Sequence, residues 1–314
     1  MVVASAPTRL DFGGGWTDVP PYPEERGGFV CNVAIERRAV VTLEPGQPGA
    51  HAPEPLVAAA LSRAKLGQAR VSLANQFPVG AGLGGSSAAG VALAAATATA
   101  RGASRDAAVL AEESRAVEVE VLGIAGGFQD HYAAAFGGAL GLAFGAETTV
   151  ERIPLSPELI TALESRVVLV YTGESRISGD TITAVLDAYR TGESRVVAAL
   201  DRMAVLARAM RDALHARDVT SLAALVDEHW HHQRSLHPKI TTDRIDAIES
   251  SVRRAGATGF KALGASGGGC VIALAPADAV NAVRNAALVL CEVLDWRVAT
   301  EGVVVNLSEA SSPA

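Results

Sequence analysis

The chain has 314 residues, 49% of them hydrophobic, which is enough for one large or two medium domains with a substantial core. Its 27 Lys and Arg against 34 Asp and Glu give a net charge of −7, which argues against a general nucleic-acid binder, since that needs a basic face. Cys31, Cys270 and Cys291 are too few and too scattered for a disulfide framework or a zinc site. No uncharged apolar run reaches membrane-spanning length, and no basic segment leads into an apolar one at the N-terminus, so a cytoplasmic, membrane-free protein is expected.

In chain order, Val2 to Phe12, Phe29 to Ile35 and Ala39 to Leu43 read as strands separated by Gly, Pro and charged turns. Leu56 to Leu66 reads as a short helix ending at Gly67. Val71, Leu73 and Phe77 alternate toward Pro78, as in a strand that feeds a glycine-rich loop. A helix over Ser87 to Ala100 follows, then one capped by Ser104 that runs to Leu122 and stops at Gly123. Gly126-Gly127 and Gly137-Gly138 bracket a loop and a short element. The polar segment 147–157 marks a boundary between residues 1–155 and 156–314. Beyond it, Val167 to Tyr171, Cys270 to Ala275 and Val303 to Leu307 read as strands, and Val196 to Arg217, Ser221 to Ser235 and Arg244 to Ala255 as helices. Strands and helices mix without strict alternation, so the class is α+β.

The run Pro78-Val79-Gly80-Ala81-Gly82-Leu83-Gly84-Gly85-Ser86-Ser87 is a glycine loop feeding a helix N-terminus. Free N–H groups and the helix dipole make such a junction an anion site. The adjoining hydroxyls add a ligand for Mg²⁺, and the combination suggests a nucleoside triphosphate. The loop also fits the dinucleotide fingerprint, with Asp106 as the downstream acid. The context disagrees: Asp106 follows a helix start rather than a second strand, and the loop lies deep in the chain. A P-loop is excluded because no Gly-Lys-Ser/Thr is present.

Glu118 falls toward an apolar helix face and Glu120 away from it. Asp130 stands in Gly126-Gly127-Phe128-Gln129-Asp130-His131-Tyr132, where a carboxylate among glycines and aromatics is costly unless it has partners or a task. Phosphoryl transfer offers one, with one acid at Mg²⁺ and another taking or orienting the attacking proton.

Three separated motifs together resemble the GHMP kinase family: Ala6-Pro7-Thr8-Arg9-Leu10-Asp11-Phe12 running into Gly13-Gly14-Gly15-Trp16-Thr17-Asp18, the glycine loop, and Lys261-Ala262-Leu263-Gly264-Ala265-Ser266-Gly267-Gly268-Gly269-Cys270. The resemblance implies a ribosomal-protein-S5-domain-2-like N-terminal domain and a ferredoxin-like C-terminal one. It implies that Gly80, Gly82, Gly84, Gly85, Ser86, Ser87 and Ala88 wrap the ATP phosphates and that Ser87 with Glu118 binds Mg²⁺. Asp130 becomes the catalytic aspartate and Arg9 its cationic partner. Asp18, with Trp16 and Thr17, meets the sugar, and Gly267 and Gly268 complete the wall. Galactokinases carry an acid and a His where this chain has Gly15 and Trp16, so galactose loses polar contacts here.

Two branches compete for the acceptor, and both act at the anomeric hydroxyl. The segments Gly126 to Gly138 and Tyr171 to Ser178 are similar to D-glycero-D-manno-heptose 7-phosphate kinases, whose acceptor needs a cation; Arg176, assisted by Ser175 and Ser178, is the candidate. The segment Gly14 to Tyr22 resembles L-fucokinase. The heptose 7-phosphate reading comes first, with L-fucokinase-like activity as its alternative. A non-catalytic binding protein on the same fold is the reading from another class, although Asp130, Glu118 and both serines are all present. His229-Trp230-His231-His232 reads as a helix face packed near the sugar pocket rather than a metal cluster, and Trp16 and Trp230 as core or sugar-stacking rings. Lys261 reads as a solvated or structural lysine. The partner is a small molecule, and the sequence leaves monomer and homodimer open.

Overall fold

The computed structural model describes residues 1–46, 54–67, 69–121, 123, 126–174 and 179–308. The first half comprises β1 (Val2–Gly13), α1 (Tyr22–Arg26), β2 (Gly28–Pro45), α2 (Pro55–Ala64), β3 (Ala69–Asn75), α3 (Gly85–Ala100), α4 (Ala107–Ala116), α5 (Gln129–Phe136), β4 (Ala139–Phe144) and β5 (Thr149–Ile153). The second comprises α6 (Pro157–Arg166), β6 (Val167–Tyr171), α7 (Gly179–Arg190), α8 (Ser194–His215), α9 (Val219–Ser235), α10 (Asp243–Arg254), β7 (Gly259–Ala262), β8 (Cys270–Leu274), α11 (Val280–Leu288), β9 (Glu292–Leu294) and β10 (Val304–Leu307).

The architecture is α+β, with two antiparallel sheets among the described residues. One has the order β10-β1-β2-β4-β5, with β3 also on β2; the other runs β7-β8-β6-β9. The chain's last strand returns to the first sheet beside β1. The alanine-rich α3 lies against β1 and β2, where small side chains let helix and sheet approach closely.

Several elements differ from the sequence reading. The strands expected over Phe29 to Ile35 and Ala39 to Leu43 are one strand, β2. Its pairing shifts between Pro7↔Arg38 and Thr8↔Ile35, so the charged residues read as a turn form a bulge. The helix after the loop begins at Gly85, because Gly84 takes the left-handed conformation (φ 75°) as its N-cap. The next helix starts after Asp106, not Ser104, and gives way to a π turn at Val117–Val121. Asp130 is not in a loop: it occupies the first turn of α5, where a carboxylate faces the positive end of the helix.

Candidate active site

Two cavities adjoin at the junction of the sheets. The larger, about 550 Å³, is bordered by the loop from Pro78 to Ser87, by Leu73, Asn75 and Phe77, and by Glu118 and Asp130. The smaller, about 260 Å³, is bordered by Arg9, Asp11, Gly15, Trp16, Asp18 and Gln129, and again by Asp130.

The loop owes its shape to glycine. Gly80, Gly82 and Gly84 have φ of 71°, 71° and 75°, which L side chains rarely adopt. A Cβ on Gly82 would lie 2.7 Å from the Leu263 carbonyl, and Gly84 leaves room for the Asp130 carboxyl. The segment 264–270 clasps the loop from behind: Cys270 N–H donates to the Ala81 carbonyl at 2.7 Å. The N–H groups of Gly85, Ser86 and Ser87 stand in the first turn of α3, where a helix supplies no acceptor. Ala88 differs from its companions. It is fully buried and its N–H already donates to the Gly84 carbonyl.

Glu118 stands on the π turn, a distortion common at functional sites. Ser87 Oγ donates to Glu118 Oε2 at 3.2 Å, and His131 Nε2 meets the same oxygen at 3.0 Å. His131 Nδ1 in turn meets Ser114 Oγ at 2.9 Å. Burial pushes the Glu118 pKa up, but hydrogen bonds and charge from His131, with Ser86 and Ser87, outweigh it and hold the carboxyl below its ordinary value. Gly90 makes room for Ser114, since a Cβ there would lie 2.3 Å from Ser114 Oγ. An ionised carboxylate beside a hydroxyl suits a hard, oxygen-seeking cation. Among the described residues no group of three His, Cys, Asp or Glu forms a metal cage, so Mg²⁺ here would need phosphate oxygens as further ligands.

Arg9 is buried on β1 and joins the two cavities. Its Nε donates to Asp130 Oδ1 at 2.7 Å, and its Nη1 to the Gly82 carbonyl at 2.6 Å. Across the smaller cavity, Asp18 Oδ2 accepts the Gln129 N–H at 3.0 Å. Burial, with lesser repulsion from Asp130 and Asp11, pushes the Asp18 pKa up to about 7. Gly127 is obligatory beside it, because a Cβ there would sit 2.1 Å from Asp18 Oδ2.

The other expected site residues divide. Trp16 lines the smaller cavity, but the Thr17 hydroxyl is fully buried and donates to the Gly14 carbonyl at 2.7 Å. Gly268 borders the loop cavity rather than the smaller one, and the Gly267 N–H donates to the Ile240 carbonyl. Ser175, Arg176 and Ser178 lie outside the described residues. Trp230 is core, packed against Phe260, with its Nε1 donating to Glu249. His229 is fully buried and accepts the Gly14 N–H at 2.8 Å, and burial first, then Lys261, holds it neutral.

Sequence reasoning missed the Ser114–His131 pair and the buried ion pair of Lys261 with Asp11, whose Nζ–Oδ2 distance is 2.9 Å. Lys261 is fully buried rather than solvated. Its place in the apolar run Gly259-Phe260-Lys261-Ala262-Leu263 was the available signal.

Residues 55–138 match the GHMP kinases N terminal domain and residues 210–288 the GHMP kinases C terminal domain, together about half of the chain. The chain is 27% identical over 311 residues to a bifunctional fucokinase/GDP-fucose pyrophosphorylase of Arabidopsis thaliana, covering 86% of this chain and 29% of the relative. It is 28% identical over 200 residues to a D-glycero-alpha-D-manno-heptose 7-phosphate kinase of Campylobacter jejuni, covering 62% of this chain and 58% of the relative. The chain thus spans less than two thirds of the length of either relative. A solved structure of a D-glycero-D-manno-heptose 1-phosphate kinase from Bacteriodes thetaiotaomicron shares the fold, with a TM-score of 0.80, 22% identity, and coverage of 99% of this chain and 100% of the other.

Proposed function

Since the chain belongs to the GHMP kinase family, we propose that it is an ATP- and Mg²⁺-dependent sugar kinase that phosphorylates an anomeric hydroxyl. One observation carries this reading: Asp130 borders both cavities, and the Arg9 guanidinium that grips it also grips the glycine loop. A donor bound along the loop and an acceptor in the smaller cavity would meet at that carboxylate.

In this scheme the loop amides and Ser86 hold the triphosphate, and Asn75 and Phe77 flank the base end of the cavity. Ser87 and Glu118 would hold Mg²⁺, which would supply positive charge to offset that of the triphosphate. The acceptor oxygen attacks the γ-phosphorus and its proton passes to Asp130. The bond from that phosphorus to the bridging oxygen breaks, and ADP departs with the electron pair. Arg9 stabilises the charge on the moving phosphoryl group and fixes the Asp130 rotamer. Positioning and electrostatics carry the rate.

For the acceptor, the smaller cavity supports an unphosphorylated sugar of the fucose kind. Asp11, Asp18 and Asp130 line it, and Arg9, its one cation among the described lining residues, is committed to Asp130 and Gly82. The heptose 7-phosphate reading is supported by the Campylobacter relative and by Arg176 as a phosphate ligand. ADP release with L-fucose, D-mannose, hexuronic acids and D-glycero-D-manno-heptose 7-phosphate tests both. The reading expects sugar-dependent ADP release with at least one of them. ATP turnover unaffected by every sugar would overturn it.

A further inference from the structure

Two residues that line the smaller cavity, Asp11 and Trp16, each carry a buried polar atom that the protein itself does not satisfy. These atoms, Asp11 Oδ1 and Trp16 Nε1, have no hydrogen-bond partner. Unpaired buried groups of this kind are rare in folded proteins and call for a specific cause.

Asp11 is held in place from two sides. It stands two residues after Arg9 on β1, so both side chains leave the strand on one face. Its other oxygen, Oδ2, accepts from Lys261 Nζ at 2.9 Å, and the same Nζ donates to the Asp11 carbonyl at 2.9 Å. Burial would raise the Asp11 pKa, but Lys261, with a smaller contribution from Arg9, outweighs it and keeps the carboxyl ionised. Gly15 completes the arrangement. A Cβ there would lie 2.5 Å from Asp11 Oδ2, so a side chain at this position would displace the carboxylate.

We propose that Asp11 is an acceptor-binding residue, whose Oδ1 takes a hydrogen bond from a hydroxyl of the sugar while Trp16 Nε1 donates to a neighbouring sugar oxygen. The inference rests on the sugar-kinase reading and adds a specificity determinant to it. Lys261 fixes the carboxylate, Gly15 gives it room, and Asp18 stands in the same cavity as a second acid. An acid-lined cavity of this kind selects a neutral polyhydroxylated acceptor.

The test compares wild type, Asp11→Asn and Gly15→Ala in the whole protein. Each is assayed for kcat/KM with L-fucose, D-mannose and their singly deoxygenated analogues, and for ATP KM. In wild type, removal of one particular hydroxyl should cost roughly 10–100-fold, as expected for a hydrogen bond to a charged group. In Asp11→Asn that penalty should shrink to a few-fold, while the penalties at other positions and the ATP KM stay as they were. Gly15→Ala should shrink the same penalty by displacing the carboxylate with its charge intact, and it decides the question if Asp11→Asn does not fold. Deoxy-sugar penalties unchanged in the folded variants, or lowered equally at every position, would overturn the role of Asp11 alone. Failure of wild type to phosphorylate either sugar would overturn the neutral-acceptor inference, and use of the heptose 7-phosphate in their place would leave the kinase reading standing.

Discussion

The two sides of Asp130 are built by different means. On the loop side the main chain does most of the work, through alternate positive-φ glycines and the amides of one helix start. On the acceptor side buried side chains do it: Asp11 and Asp18 come from the N-terminal segment and Lys261 from β7. The same contrast shows in their carboxylates. Glu118, beside the loop, is held below its ordinary value by His131 and the serines, whereas Asp18 is pushed up to about 7 by burial that nothing offsets fully. A main-chain cradle suits a phosphate chain common to all reactions of this type. Side chains can be exchanged to suit one acceptor.

The largest effect should come at the boundary between the sides. Asp130→Asn should lower kcat by about 10²–10⁴-fold, with ATP affinity within a few-fold of wild type, as read by steady-state kinetics and nucleotide calorimetry. Wild-type turnover in that variant would remove Asp130 from the chemistry.

Next is the acceptor-side ion pair. Lys261→Met leaves Asp11 charged and unpaired in the core, and should cost about 3–5 kcal/mol in denaturant unfolding. The double variant with Asp11→Leu should recover most of that loss, because replacing both partners with apolar groups is often neutral. No recovery would mean that Lys261 matters through contacts other than Asp11.

A smaller effect belongs to the loop side. Ser114→Ala frees His131 from one of its anchors and should raise the Mg²⁺ concentration for half-maximal activity roughly 10-fold, leaving acceptor KM unchanged. A change in acceptor KM instead would contradict the division between the sides.

The subtlest effect is in pH dependence, and its sign differs between the sides. Asp18 holds its proton more tightly folded than unfolded, so its contribution to stability falls as pH rises from its ordinary 3.8 toward about 7. Glu118 does the reverse: its contribution is present above its ordinary 4.5 and is lost as pH falls through the lowered folded value. Melting temperatures should therefore show Asp18→Asn gaining on wild type as pH rises from 3.8 toward about 7, and Glu118→Gln losing on it as pH rises toward 4.5. Parallel curves would show that the two carboxylates do not differ in this way.

The sequence disclosed the loop side more fully than the acceptor side, and the reason is physical. A phosphate cradle of glycines before a helix is contiguous, so its residues announce one another from Gly80 to Ser87. At Ala88 the run passes into the helix proper, which claims that residue's N–H. The proximity of Arg9 to Asp130 spans 121 positions and was available only through resemblance to a family. Lys261 and Asp11, 250 positions apart, have no local pattern that joins them. The Thr17 hydroxyl reads the same in sequence whether it faces a sugar or, as here, a main-chain carbonyl. His131 beside Asp130 gave no sign that Ser114 stands behind it, since that contact depends on the bare flank of Gly90.

The central claim, phosphoryl transfer across Asp130 to an anomeric hydroxyl, is tested most directly by the product. Wild-type protein, Mg-ATP and each sugar of the panel, followed by phosphorus–proton correlated NMR, should give a new phosphate resonance coupled to the anomeric proton, and Asp130→Asn should give none on the same timescale. A phosphate coupled to any other sugar proton, or ADP formed with no sugar phosphate, would contradict the account.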